Sequence, residues 1–580
     1  MLVGTKAFWK RIFSGNLLAM KINTAGATRA TSILLLLLFL LGAGNTSLAC
    51  TNLMVGKKAS SDGSVLLSYA ADSHTLYGEL YHWPATDWPE GSMMEIYEWD
   101  TGKPLGRIPQ APHTYKVNGL MNEYQVTIAE STFGGREELV DTTAILDYGN
   151  LMFIALQRSK TARKAILVMT ELVSKYGYAS EGESFTIADP NELWVLEMIG
   201  KGPDYKGAVW VAVRIPDDAI CAHANQARIR QFPLEDPDNC IYSPDVISFA
   251  RQQGYFNGTN KDFSFADTYA PLDFESLRSC EARVWSFFRK FRKGMDAYLP
   301  YLNGQSTNAL PLYVRPEKKI SAQMLKECMR DHFEGTPFDL STDVGAGPFH
   351  TPYRWRPLSW TVDSTKYINE RAIATQQTGF SFVAQMRNWL PAPIGGLLWF
   401  GVDDANTTVY VPMYCGNLRV PECFRVGNGD LLTFSWTSAF WIHNWVANQC
   451  YAKYNYLIQD IRPVQDSLES RFNREVPTID KNAAALFAKD TLGALEMVTN
   501  FSNQMAQQST ARWKTLGEFL LVKYIDGNIK KEKNGQFLRT ANGHPEMPDQ
   551  PGYDSTYYRN IVKETGSRFQ YKKTIYDTNE

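Results

Sequence analysis

The sequence predicts an α+β protein: blocks of strands separated by helices, followed by a helical C-terminal stretch. Three observations carry this. Short strand-like runs, punctuated by turn residues, occur at 51–56, 65–70, 124–130, 184–188, 193–197, 208–214 and 218–224, then near 379–387, 396–402 and 407–413. Two helical segments sit among them. From Trp436 onward the chain turns helical and aromatic. Strand blocks interrupted by helices fit a sheet-on-sheet core covered by helices on both sides.

The chain opens on a leader. Residues 1–49 hold five bases (Lys6, Lys10, Arg11, Lys21, Arg29) and no acid. Ile33 to Leu41 is an unbroken apolar run, ended by Gly42, Gly44 and Asn45, and Ser47-Leu48-Ala49 places small residues at −3 and −1 of a cleavage point. This is the order of a secretory signal peptide, and the run is too short for a membrane span, which needs about 20 residues. Cleavage after Ala49 makes Cys50 the first residue of the mature chain. The thiol then shares a residue with a free α-amine, whose reference pKa of about 7.7–8.0 suits it to act as a base. A cysteine after a signal also fits a lipoprotein, with the sulfur and amine both blocked by lipid. Lipoprotein signals place Leu at −3, whereas Ser47 is at −3 here and Leu48 at −2, which fits ordinary cleavage better.

Thr51 to Val55 reads as a strand, Lys57 to Ser64 as a turn region with Asp62-Gly63 as its strongest signal, and Val65 to Tyr69 as the returning strand. Cys50 lies eleven residues before Ser61 and Asp72 eleven after it. An antiparallel hairpin sets the two opposite each other within a residue or so, so Asp72 is expected to orient the Cys50 amine. Next comes a helix from about Asp147 to Arg158. A second, capped by Thr161 and ended by Gly177, carries an apolar face of Ala165, Val168, Met169, Leu172 and Val173. Residues 252–277 read as a long loop that borders a pocket. Lys481–Gln507 and Ser509–Tyr524 read as the clearest helices, with Asp480 or Thr478 as caps, and the polar tail after Gly527 as loop. The organisation expected is a leader over 1–49, a catalytic domain over 50–470 and a helical segment over 471–580 packed on it or separate.

Composition narrows the function. Of 59 basic and 61 acidic residues, the leader removes five bases, leaving 54 against 61 and a net charge near −7. No clustered basic surface points to nucleic acid. The 15 Trp, 29 Tyr and 30 Phe suit a deep core or pocket. Eight cysteines are scattered without CxxC or Cys/His clusters, so no zinc site is expected. Cys415 and Cys423 either close a loop or are single thiols. HExxH, GxSxG and phosphate-loop motifs are absent.

The stretch Cys50-Thr51-Asn52-Leu53-Met54-Val55-Gly56-Lys57-Lys58-Ala59, then Ser61-Asp62-Gly63-Ser64 and Asp72-Ser73, resembles the PepD-like cysteine dipeptidase family of the N-terminal-nucleophile (Ntn) hydrolase superfamily, related to bile-salt hydrolases and penicillin V acylases. Further matching pieces are Met121-Asn122-Glu123, Glu130-Ser131-Thr132, Ala188-Asp189-Pro190, His223-Ala224-Asn225-Gln226-Ala227-Arg228, Arg283-Val284-Trp285, Arg330-Asp331-His332 and Gly395 to Gly401. The resemblance covers roughly residues 50 to 420. It implies the four-layer αββα Ntn sandwich and hydrolysis of dipeptides with no cofactor. Cys50 is then the nucleophile, Asp72 holds its amine, Asn225 donates to the oxyanion or the amine-side network, and Arg283 lowers the thiol pKa. Two departures stand out. Tyr69 occupies a position where the related amidases carry Arg, and Thr132 one where they use an oxyanion Asn. Both argue against bile-salt or penicillin specificity.

Bland readings stand beside these. Arg283 lies near Glu281 as in a helix-surface ion pair, and Asn225 follows a strand as a turn residue would. Arg330-Asp331-His332 reads as a structural cluster, and Asp403-Asp404 as a loop end. The expected product is a periplasmic or secreted dipeptidase acting on small peptides, without nucleic acid or stable membrane insertion. The alternatives are a lipid-anchored binding protein and an N-acyl amide hydrolase or acyltransferase. The sequence leaves the oligomeric state open.

Overall fold

The computed structural model describes residues 50–354 and 358–573. The leader expected over 1–49 lies outside the described residues.

Ten strands build the framework around the site: β1 Thr51–Val55, β2 Val65–Asp72, β3 Thr127–Gly134, β4 Gly182–Ala188, β5 Leu193–Gly200, β6 Ala208–Arg214, β7 Ile220–His223, β8 Thr378–Met386, β9 Gly396–Val402 and β10 Val411–Tyr414. A seven-stranded antiparallel sheet runs Tyr313–Val314, β7, β1, β2, β8, β9, β10. An eight-stranded antiparallel sheet runs Cys240–Tyr242, β6, β5, β4, β3 and then three two-residue strands, Met121–Asn122, Val117–Asn118 and His82–Trp83. Every residue of β1 and β2 is buried, as their apolar, unalternating sequences require of strands covered on both faces. The sheets meet through β1: the Asn52 amide donates to the Glu130 carbonyl of β3 at 2.6 Å, and the Thr186 hydroxyl of β4 lies 3.4 Å from the Met54 sulfur.

Seven helices matter here: α1 Tyr148–Arg158, α2 Ala162–Tyr176, α3 Ala282–Phe291, α4 Ala322–Cys328, α5 Ala439–Ala452, α6 Tyr454–Phe487 and α7 Thr491–Tyr524. α1 and α2 pack on the larger sheet, through β3 and through β4 to β6. The seven-stranded sheet takes α3 on β7, α4 on β2 and β8, α5 on β9, and α6 and α7 on β10. The caps follow the sequence. Asp147 accepts from the Asn150 N–H at 2.7 Å to start α1, Thr161 accepts from the Lys164 N–H at 3.2 Å to start α2, and Gly177, at φ +81°, ends α2.

Elsewhere the structure departs from expectation. The strand expected from 124 begins at Thr127. Asn122 Oδ1 captures the Tyr124 and Val126 N–H groups and Gln125 takes φ +67°, making a turn instead. The strand expected over 407–413 starts at Val411, because the Asp404 carboxylate and carbonyl hold the N–H groups of Asn406, Thr407 and Thr408 in a turn. The C-terminal helices break at 488–490, not at 508. Asp490 accepts from the Gly493 N–H at 2.8 Å to start α7, and α6 runs unbroken through Pro463 and Pro477. Its buried face, from Leu457 and Ile461 to Phe472, Val476 and Ala483, outweighs the lost donors. The 252–277 segment contains three short helical turns, and the tail forms a helix over Ser555–Thr565. All eight cysteines are unpaired; the Cys415 thiol lies against the Ala392 carbonyl at 3.4 Å. Asp403 and Asp404 do lie just past the end of β9, both buried. The Arg330 segment is a packing cluster: Arg330 pairs with Glu469, Asp331 with Lys290, and His332 with Glu334.

Beside that cluster, Lys326 is fully buried with its ammonium 3.5 Å from the centroid of the Trp399 ring. Burial lowers its pKa to about 7 despite the nearby Glu469 charge. The folded state therefore resists protonation, and the penalty grows as pH falls from the unfolded lysine value to about 7. Lys326→Met is expected to raise the melting temperature more at pH 6 than at pH 9, as thermal melts at the two pH values will show.

Candidate active site

The β1–β2 hairpin pairs Thr51 with Ala70 and Asn52 with Tyr69. Continuing that register sets Cys50 opposite Ala71, with Asp72 one residue on. Paired residues of antiparallel strands share a face, so Cys50, Asn52, Tyr69 and Ala71 point the same way, toward β3 of the other sheet. There the Cys50 thiol donates to Glu130 Oε1 at 3.1 Å and lies 3.3 Å from the Tyr69 hydroxyl, which itself donates to the same carboxylate oxygen. Burial pushes the Cys50 thiol well above its ordinary pKa, and the Glu130 and Asp72 charges push it the same way. Burial, then Cys50 and Glu130, likewise keep the Tyr69 hydroxyl protonated. Asp72 is buried, accepts from the Thr378 hydroxyl at 2.7 Å and faces Arg371 at 3.6 Å. Its pKa is raised to about 6 by burial, against the pull of Arg371 and Thr378.

Arg283 enters from α3, reached through a π-helical turn at Leu277–Glu281. It is fully buried and makes five hydrogen bonds: Nε to the Ser279 carbonyl (2.7 Å), Nη1 to the Cys50 carbonyl (2.9 Å) and the Thr51 hydroxyl (2.7 Å), and Nη2 to the Ala224 carbonyl (3.0 Å) and Asn225 Oδ1 (2.9 Å). A planar guanidinium fork suits this many fixed acceptors. Glu281 pairs with Arg228 at 2.8 Å, so Arg283 is not a helix-surface ion pair. Its bonds go to the backbone of Cys50 and not to the sulfur, and the thiol pKa is raised.

Asn225 follows β7 at φ +62°, a conformation Asn tolerates better than most residues. Its Oδ1 is held by Arg283, and its Nδ2 donates to the Thr132 carbonyl at 2.8 Å. Thr132 departs from the expected role: its hydroxyl donates to Glu183 Oε2 at 3.0 Å, across the β3–β4 pair, and so is engaged away from an oxyanion. His223, at the end of β7, is wedged between the Ser131 and Thr186 hydroxyls at 2.6 and 2.7 Å. Its pKa is lowered to about 3, first by burial, which keeps the ring neutral.

The structure thus gathers Cys50, Asp72, Asn225, Arg283 and Thr132 around the start of β1 and adds Tyr69, Glu130, Glu183 and Arg371. The observed register, one residue off the count centred on Ser61, puts Tyr69 opposite Asn52 and on the face of Cys50. Glu130 lies two residues before Thr132 and therefore on its face of β3. Nothing in the local sequence marked Arg371, which comes from the segment before β8. Among the described residues no group of three or more His, Cys, Asp or Glu is arranged to hold a metal ion. A cleft of about 670 Å³ bordered by Lys58, Arg214, Asp217 and Tyr313 contains none of these site residues.

Comparison with known proteins bears on this arrangement. The profile of peptidase family C69 matches residues 49–467. A protein of Salmonella dublin named probable dipeptidase is 26% identical over 404 residues, covering 65% of this chain and 83% of its own. A probable dipeptidase of Latilactobacillus sakei is 25% identical over 514 residues, covering 83% of this chain and 98% of its own. Dipeptidase A of Lactobacillus helveticus is 23% identical over 420 residues, covering 69% and 81%. With the family match spanning most of its length, the chain belongs to peptidase family C69, a cysteine peptidase family of the N-terminal-nucleophile type, and is a peptide-bond hydrolase.

Proposed function

We propose that the protein is an exported dipeptidase whose nucleophile, Cys50, becomes its N-terminal residue by cleavage after Ala49, and that its two sheets and their helices form the four-layer αββα sandwich. The carrying observation is the setting of Cys50: it begins a central strand, its carbonyl is clasped by Arg283, its thiol meets Glu130 and Tyr69, and Asp72 lies one register step away. The names of the relatives support small peptides as substrates. The family match starting at residue 49 supports a leader outside the catalytic part.

Each reaction step follows from these groups. While Ala49 is attached, the Cys50 nitrogen is an amide and cannot act as a base, and the buried thiol stays protonated. Cleavage creates an amine on the same residue. The Asp72 carboxylate, with Arg371 and Thr378 fixing it, orients that amine. The amine takes the thiol proton, and the thiolate attacks the peptide carbonyl. Asn225, its amide direction set by Arg283, and a backbone N–H stabilise the oxyanion, each donor worth about 2.7–4 kcal/mol. The proton returns to the leaving nitrogen, and water activated by the same amine hydrolyses the thioester.

Sequencing the N-terminus of the protein recovered from the periplasm or medium, with an intact mass, is expected to read Cys-Thr-Asn-Leu with no added mass, and this material is expected to hydrolyse dipeptides. A start at any other residue, or a lipid-modified Cys50, overturns the reading.

A further inference from the structure

Glu130 and Glu183 are both almost wholly buried, at 3% and 0% exposure. Among the described residues, the side chains that donate to them are the Cys50 thiol, the Tyr69 hydroxyl and the Thr132 hydroxyl, all neutral donors, and neither carboxylate has an ion-pair partner. Glu130 Oε2 and Glu183 Oε1 receive no hydrogen bond from any described donor. Burial, and then the charge of Glu130, push Glu183 well above the usual carboxylate range. A proton held between the two carboxyls lets them bond to each other and leaves one negative charge on the pair. A buried charge is ordinarily matched by a cation. Arg283 and Arg371 do not supply it: the first is bonded to the Cys50 and Ala224 carbonyls, and the second faces Asp72.

The position of that charge is informative. Attack requires the substrate carbonyl carbon to come within roughly 3–3.5 Å of the thiol sulfur. In an aminoacyl group the α-nitrogen lies about 2.5 Å from the carbonyl carbon, as backbone bond lengths and angles dictate. Any substrate poised for attack therefore carries its α-nitrogen close to the sulfur, and Glu130 Oε1 is 3.1 Å from that sulfur. In the mechanism proposed above, the enzyme's own terminal amine takes a separate buried carboxylate, Asp72.

Resting on the dipeptidase reading above, we propose that the Glu130–Glu183 pair is the subsite for the substrate's free α-ammonium group, restricting cleavage to the bond after an unblocked N-terminal residue. Tyr69 positions Glu130 for this contact. An N-acylated substrate brings a neutral amide to the same place and leaves the buried charge unmatched.

The test compares alanyl-alanine with propionyl-alanine, which has the same shape but lacks the amine, using mature wild-type enzyme and the variants Glu130→Gln and Glu183→Gln. Wild type is expected to prefer alanyl-alanine by about 10⁴-fold in kcat/KM, the discrimination typical of a site whose buried polar groups are left unpaired by the wrong ligand. Glu130→Gln is expected to raise KM for alanyl-alanine and shrink the preference at least tenfold, and Glu183→Gln to shrink it in the same direction. Equal wild-type rates on both compounds overturn the proposal, even where neither variant folds. A folded Glu130→Gln enzyme with unchanged preference overturns it too. So does a loss of kcat that is equal on both compounds at unchanged KM, which marks Glu130 as a proton acceptor for the thiol. A wild type that cleaves neither compound brings down the dipeptidase reading itself, and this proposal with it.

Discussion

Replacing Cys50 by alanine is expected to abolish dipeptide hydrolysis while leaving the protein folded. The loss in kcat should be on the order of 10⁵–10⁶, as for other enzymes deprived of a covalent nucleophile. The fold should survive because the alanine keeps β1 intact and Glu130 retains the Tyr69 hydroxyl as a donor. The thiol is one small buried group, so the stability change should stay within about 2 kcal/mol. Steady-state rates on a dipeptide, with a thermal melt of the same sample, check both halves. A folded Cys50→Ala protein that still turns over would end the nucleophile assignment.

The second large effect is on stability. Arg283→Met removes a buried guanidinium that satisfies the Cys50, Ala224 and Ser279 carbonyls, the Thr51 hydroxyl and Asn225 Oδ1. Each buried acceptor left without a donor costs about 1–3 kcal/mol, so the variant should lose at least ~3 kcal/mol in a urea titration. Catalysis should fall as well, because Asn225 loses the bond that sets its amide direction. Arg283→Lys should recover little, since a single ammonium cannot reach acceptors spread around a planar fork. A stable Arg283→Met protein would show that the arginine does not anchor β1.

What could be read from the sequence depended on whether a relation was local. The Cys50–Asp72 proximity followed from counting outward from one turn, the Thr161 cap from its own side chain, and the start of α1 at about Asp147 from the residues beside it. Tyr69 was not accessible to that count: centred on Ser61 it pairs Tyr69 with Leu53 and turns it away from Cys50, whereas the true register, shifted by one residue, pairs Tyr69 with Asn52 and brings it to the face of the thiol. Glu130 reaches Cys50 from another sheet and Arg371 reaches Asp72 from a distant segment, and a single sequence carries no signal for such tertiary contacts. Thr132 illustrates a finer limit: its place along the strand was evident, but the direction of its hydroxyl depends on Glu183 across the strand pair. In the C-terminal half, Asp480 or Thr478 read as the cap of a helix beginning at Lys481, just after Pro477. The apolar stripe of α6, packed against the sheet, overrides the proline, and the true break lies at Asp490.

The place of β1 has one more consequence. It lies inside the seven-stranded sheet, flanked by β7 and β2. The first residues of most proteins fray, exchange their amide hydrogens quickly and are open to aminopeptidases. A mature terminus at Cys50 would instead begin a doubly paired inner strand. Its first amides should rank among the slowest in the molecule to exchange, and the reacting group would be as rigid as the core around it.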